Sequence, residues 1–221
     1  MNVLIVAAHP DDEVLGVGGA AAVHAQQGDR VTLAVLCEGE SVRYSTARRN
    51  EVKRQSEAAA TILGAAEVYL GELPDQRLDT LPISEVCGHV ERLIGRLRPQ
   101  RIYTHFAGDI NRDHRVLAEA VLVAARPYSA PFVNDILMFE TPSSTEWSTP
   151  QLAPAFQPNF YLDISSVLEK KQSAFAEYTA ELRDYPHPRS LRAIEERARY
   201  WGSLVNRRAA EPFILCRSIT S

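Results

Sequence analysis

The chain has 221 residues, enough for one domain of the larger kind whose core needs no disulfide or metal staple. With 45% hydrophobic and 24% charged residues and a formal net charge of -4, it carries no basic field for nucleic acid or an anionic membrane. Cys37, Cys87 and Cys216 lie far apart with no CxxC spacing, which argues for buried thiols in a reducing compartment.

The first half alternates short β-rich runs with helical periodicity. Val3 to Val6 reads as a buried strand, Val14 to Gln27 as a helix stopped by Gly28, and Val31 to Leu36 as a second strand. A helix from about Thr46 to Leu63 ends at Gly64, and Val68-Tyr69-Leu70 is a short strand before the loop Glu72 to Arg77. A third helix carries Val86, Val90, Leu93, Ile94 and Leu97 on one face. Arg101 to His105 is a fourth strand and Asp113 to Ala125 a fourth helix. The final third is less regular. Asn134 to Phe139, Phe160 to Leu162 and Phe213 to Leu215 read as strands. Ser166 to Glu169 reads as a capping box opening a helix with Leu168, Phe175 and Leu182 on one side. A last helix runs from Ser190 through Ile194, Ala198, Trp201 and Val205. The proline-containing segments 142–158 and 184–188 read as loops near a site. Such alternation predicts an α/β fold: a Rossmann-like, mostly parallel sheet with helices on both faces, in one domain spanning residues 1–221. No stretch reaches bilayer length and no basic segment precedes the first strand, so the expected location is cytoplasmic.

The chemistry gathers where the first and fourth strands end, as sites in such sheets do. His9-Pro10-Asp11-Asp12-Glu13 follows the first strand, and four polar residues leaving an apolar strand together are a costly way to build a turn. His9 and Asp12, three apart, can converge on one metal ion, with Asp11 held beside it. The alternative for the acidic run alone is a helix N-cap. Thr104 to Arg115 follows the fourth strand and offers His114 as a third ligand, with Asp113 placed to orient a ligand from outside the coordination shell. Three such ligands suit Zn²⁺, other divalent ions being compatible. Gly16-Val17-Gly18-Gly19 lacks the GxGxxG spacing and lies inside the helix, so it reads as close packing rather than a nucleotide loop. His24 and His89 fall within helices away from strand ends and read as ordinary core or surface histidines.

The run Ala7 to Gly16 together with Asn111-Arg112-Asp113-His114 resembles the PIG-L/LmbE deacetylases, as do Arg49-Asn50-Glu51 and Leu73-Pro74-Asp75. The resemblance implies a zinc hydrolase of N-acetylglucosaminyl or related amides, with His9, Asp12 and His114 holding the metal and Asp11 the general base. It implies Arg49 as a substrate-binding residue, whose plain alternative is a solvated arginine. One position departs from the family: Asn111 stands where many members carry an oxyanion-stabilising histidine. Asn111 serves there as a neutral donor, or His105 or His187 substitutes, or that step is weaker. Arg77 beside Asp75, and His187 with Arg189 on the loop before the last helix, are further candidates for substrate contact. A loop ion pair and a simple helix start are their respective alternatives. Asp109 reads as fixing its loop. The implied partner is a small amino-sugar or conjugate substrate, with oligomeric state open; a non-sugar acyl amide or thiol conjugate and a non-catalytic sugar-binding scaffold are the alternatives.

Overall fold

The structure is a computed structural model that describes residues 1–38 and 47–220, the side chains of residues 47–49 lying outside that description. In chain order the elements are β1 (Asn2–Ala7), α1 (Asp12–Gln26), β2 (Arg30–Cys37), α2 (Ala47–Leu63), β3 (Glu67–Leu73) and α3 (Ile83–Leu97). There follow β4 (Arg101–His105), α4 (Arg112–Ala124), β5 (Asp135–Phe139), β6 (Phe160–Asp163), α5 (Leu168–Ala176), α6 (Leu191–Leu204) and β7 (Ala210–Arg217). The strands form one seven-stranded sheet in the order β3-β2-β1-β4-β5-β7-β6. The first five pair in parallel; β7 runs antiparallel to both neighbours.

Period-two patterning explains how both faces are covered. Val3 and Ile5 of β1 join a core with α1, α2, α5 and α6, built from Val14, Leu63, Phe175 and Ile194 among others. Leu4 and Val6 point the other way, into a core with α3 and α4 that includes Val90, Leu93, Leu117 and Val121. Gly28 and Gly64, the expected helix stops, take φ of +81° and +79°, which a side chain would strain. Inside α1, a Cβ on Gly16 would stand 2.2 Å from a ring carbon of Phe139, so the glycines there do serve close packing.

An ion pair fastens α1 to the final strand. Glu211 of β7, buried, accepts hydrogen bonds from the backbone amides of Gly19 (2.8 Å) and Ala20 (2.6 Å). Lys171 of α5 donates to Glu211 at 2.6 Å and to the Leu15 carbonyl at 2.8 Å. Two buried charges are tolerated because each is paired and hydrogen-bonded.

Several expectations need correction. Ser166 caps nothing: α5 starts after Val167, whose side chain is apolar, and ends at Ala176, leaving Leu182 beyond it though still packed on the core. Strand β3 runs on through Glu72 and Leu73, read as loop, because β2 supplies a pairing partner as far as Cys37. Cys216 is exposed, unlike Cys37 and Cys87, since it lies near the far end of β7. Among the described residues no helix is long and apolar enough to cross a membrane.

Candidate metal centre

The strand order reverses between β1 and β4, and the residues that leave these two strands meet at their carboxyl ends. His9 follows β1, Asp12 opens α1, and His114 lies in the first turn of α4. Their side chains form a nearly equilateral triangle. His9 Nδ1 stands 3.1 Å from Asp12 Oδ2, His114 Nε2 stands 3.2 Å from the same oxygen, and the two ring nitrogens are 3.2 Å apart. Donors at about 2.0–2.1 Å from a tetrahedral zinc stand about 3.3–3.4 Å from one another, so the triangle has the size of one face of such a site. The donor set, two imidazoles and a carboxylate oxygen, fits a divalent ion of the zinc type.

Each vertex is held from behind. Asp113 Oδ2 lies 3.0 Å from His9 Nε2 and Asp113 Oδ1 accepts from the Leu78 amide at 2.9 Å, which holds the His9 ring from behind. Asp109 Oδ1 sits 3.2 Å from His114 Nδ1. Asp109 itself is fixed by the Asn111 amide (2.8 Å), Thr145 Oγ1 (2.5 Å) and Ser144 Oγ. Burial opposes a charge on His9, but hydrogen bonds to Asp113 and Asp12 outweigh it and lift its pKa to about 10 without metal. For His114 burial again works downward, and Asp12 and Asp109 prevail and raise it. The His9 ring must therefore release a proton to an arriving cation. Apparent metal affinity should rise about tenfold per pH unit for each proton released, over the neutral range below the His9 pKa. Calorimetric titrations at several pH values check this; an affinity flat with pH would mean the ring is already neutral.

Asp11 lies between the two ligands in sequence but outside the triangle. It adopts φ +110°, ψ -30°, a conformation that costs a non-glycine residue about 1–3 kcal/mol and persists only where its surroundings impose it. The Asp11 amide donates to Glu13 Oε2 at 3.0 Å, and Glu13 Oε1 is hydrogen-bonded by the Tyr178 hydroxyl, itself 3.1 Å from Ser56 Oγ. Asp11 Oδ2 is buried and accepts no hydrogen bond among the described residues; Arg189 Nη1 stands 3.2 Å away. Burial raises the Asp11 pKa well above the usual carboxylate range, Arg189 working against it.

The other candidates scatter. Asn111 is the N-cap of α4, its Oδ1 accepting from the Asp113 amide at 2.9 Å. His105 is fully buried, with Nε2 accepting from the Ala8 amide (2.9 Å) and Nδ1 against Thr141 Oγ1 (3.1 Å). Burial and the neighbouring His114 hold its pKa well below the usual value, so His105 stays neutral and is no cationic substitute at the site. Arg189 also donates to Glu181 (2.8 Å) and Ser143 (2.7 Å), and His187 accepts from the Arg189 amide. Arg77 is exposed and makes no ion pair with Asp75, which turns to His9 instead, at 3.3 Å. The Arg49 side chain lies outside the described residues. Cys37, Gln76 and Tyr178 were not anticipated at the site. Cys37 ends a strand at the same sheet edge, which is the signal that was available for it.

Comparison with known proteins adds four similarities. A family model described as PIG-L, GlcNAc-PI de-N-acetylase, matches residues 4–125. An uncharacterized deacetylase, YaiS of Escherichia coli, is 28% identical over 177 residues, covering 78% of this chain and 91% of that protein. A 4-oxalmesaconate hydratase of Pseudomonas putida is 29% identical over 201 residues, covering 78% and 71%. Among solved structures, the conserved protein TT1542 of Thermus thermophilus superposes with a TM-score of 0.81 over 99% of this chain and 96% of that one at 24% identity, which speaks for the fold.

Proposed function

The chain belongs to the PIG-L family of GlcNAc-PI de-N-acetylases, and from that premise we propose that it is a cytoplasmic, zinc-dependent hydrolase that removes an acetyl group from the nitrogen of an amino sugar or amino-sugar conjugate. The observation that carries this reading is a metal-sized triangle of His9, Asp12 and His114 beside a buried carboxylate, Asp11, with an oxygen free of hydrogen bonds. When bound, the ion supplies Lewis acidity toward the acyl carbonyl and acidifies water. Asp11 accepts the proton of the attacking water and returns it to the leaving nitrogen, so that a C–O bond replaces the C–N bond. Its upward-shifted pKa suits both halves of that exchange. Arg189, tied to Glu181 and Ser143, keeps Asp11 in place, and with His187, Arg77 and Arg49 it is assigned to the side that meets substrate. Asp113 orients His9.

Asn111 uses its amide oxygen for the helix cap; its Nδ2 is assigned the neutral donor role toward the developing oxyanion. Serine caps about as well as asparagine, so Asn111→Ser should hold stability within a few tenths of a kcal/mol. It should lower kcat by about 10²–10³, the worth of one oxyanion donor. Unchanged kcat in a metal-replete Asn111→Ser protein would restrict Asn111 to capping.

The test of the function is acetate release from a panel of N-acetylated sugars and their conjugates, by metal-free and zinc-loaded protein. Zinc-dependent release supports the reading, and its absence across the panel sinks it. The Pseudomonas relative favours one second reading, addition of water to a carbon–carbon double bond. Loss of an unsaturated acid's absorbance without acetate would identify it.

A further inference from the structure

On the far side of His9 from the metal triangle lies a second group of donors. His9 Nε2 is 3.0 Å from Asp113 Oδ2 and 3.3 Å from Asp75 Oδ1, and Cys37 Sγ is 3.9 Å from Asp113 Oδ2. The donor atoms of His9, Cys37 and Asp113 all fall within 4.8 Å of one another. With Asp75 added they come from four separate places on one sheet edge: the ends of β1 and β2, the loop after β3 and the first turn of α4. The Asp75 side chain is only 9% exposed, and its Oδ1, turned toward this group, accepts no hydrogen bond among the described residues. Asp113 and His9 align each other, but nothing in that alignment calls for a thiol or a second buried carboxylate.

We propose that His9 Nε2, Cys37 Sγ, Asp75 Oδ1 and Asp113 Oδ2 form a second cation site that takes a thiophilic divalent ion, Zn²⁺ or Cd²⁺. One nitrogen, one sulfur and two oxygens make a four-donor set of the kind zinc accepts, with Zn–S bonds of about 2.3 Å. A thiolate in the set disfavours Mg²⁺ and Ca²⁺, which take oxygen ligands. Binding releases the Cys37 thiol proton and the His9 Nε2 proton to solvent, and leaves His9 bridging two ions through its two ring nitrogens. The Gln76 amide, 3.0 Å from His9 Nε2 on an exposed residue, must swing aside. The site takes Asp113 away from aligning His9, so an excess of zinc is expected to inhibit the enzyme rather than activate it. The inference rests on the proposed function only in assigning His9 Nδ1 to the first ion.

The test is titration of the metal-free full chain with Cd²⁺, followed by calorimetry and by the ultraviolet thiolate-to-metal absorption band. Two equivalents are expected, the band growing with the second alone. Cys37→Ser should lose the band and the second equivalent, Cys216→Ser should lose neither, and Asp75→Asn should weaken the second equivalent by more than the roughly 10–100-fold that loss of an outer-shell partner costs. One equivalent without a band overturns the second site and leaves the proposed function standing. A band that grows with the first equivalent overturns the assignment of both ions, and a band that survives Cys37→Ser places the thiolate elsewhere.

Discussion

Replacing His114 by alanine should reduce bound metal from about one equivalent per chain to a small fraction of one, and turnover should fall with it. The substitution removes a vertex of the triangle and leaves only His9 Nδ1 and Asp12 Oδ2, fewer than the three protein ligands a catalytic zinc keeps. Loss of an outer-shell partner alone costs metal affinity about 10–100-fold, so loss of a ligand should exceed that range. His114 is buried and stacks on His105 with ring centroids 3.8 Å apart, so alanine also opens a cavity. His114→Gln, which fills more of that space, separates the two effects: both variants should lose metal, and the glutamine variant should keep more stability. Elemental analysis decides it. A full equivalent retained by folded His114→Ala with Cys37 also replaced by serine, which removes the second group of donors, would put His114 outside the coordination shell.

Asp11→Asn should keep its metal and lower kcat by about 10²–10⁴, the usual worth of a general base. On the transition-state scale that is roughly 2.7–5.5 kcal/mol. The amide nearly matches the carboxylate in shape, and Asp11 is not a vertex of the triangle, so metal content should hold. Near-normal turnover with metal bound would assign the proton transfer to another group. Glu13 is the neighbour of the right chemistry, but both its oxygens are engaged, one by Tyr178 and one by the Asp11 amide. That contrast, Glu13 with both oxygens hydrogen-bonded and Asp11 with an oxygen that faces only Arg189, is the structural ground for choosing Asp11.

The two strand-end motifs could be read from sequence because each is local. His9 and Asp12 are three residues apart, and the strand before each motif is a plain apolar run that places it at the sheet edge. The alternation of strands and helices through α4 was equally plain, since buried parallel strands and amphipathic helices carry unlike periods. What sequence withheld depends on strand order. Cys37 and Asp75 reach His9 only because β2 lies beside β1 and β3 beside β2 in the sheet, which no local spacing records. The placing of β7 between β5 and β6 was hidden for the same reason. Asn111 misled in another way: one amide can both cap a helix and face a site, and the sequence shows only that an amide is there. Ser166 fits the capping pattern, but the turn from Ser165 to Val167 delays the helix by one residue.

The bond between Glu211 and the middle of α1 bears on where this enzyme can be cut. The segment matched by the family model, residues 4–125, contains every vertex of the metal triangle, and its borders invite the idea of a minimal catalytic fragment. Such a fragment would strip Glu211 and Lys171 from α1 and bare the face of β4 that β5 pairs with. It would also lose Arg189 beside Asp11 and the Tyr178 hydroxyl that steadies Glu13. The helix that begins with Asp12 is thus anchored some 190 residues downstream, at Glu211. The family match ends midway along the chain; the contacts that hold α1 do not.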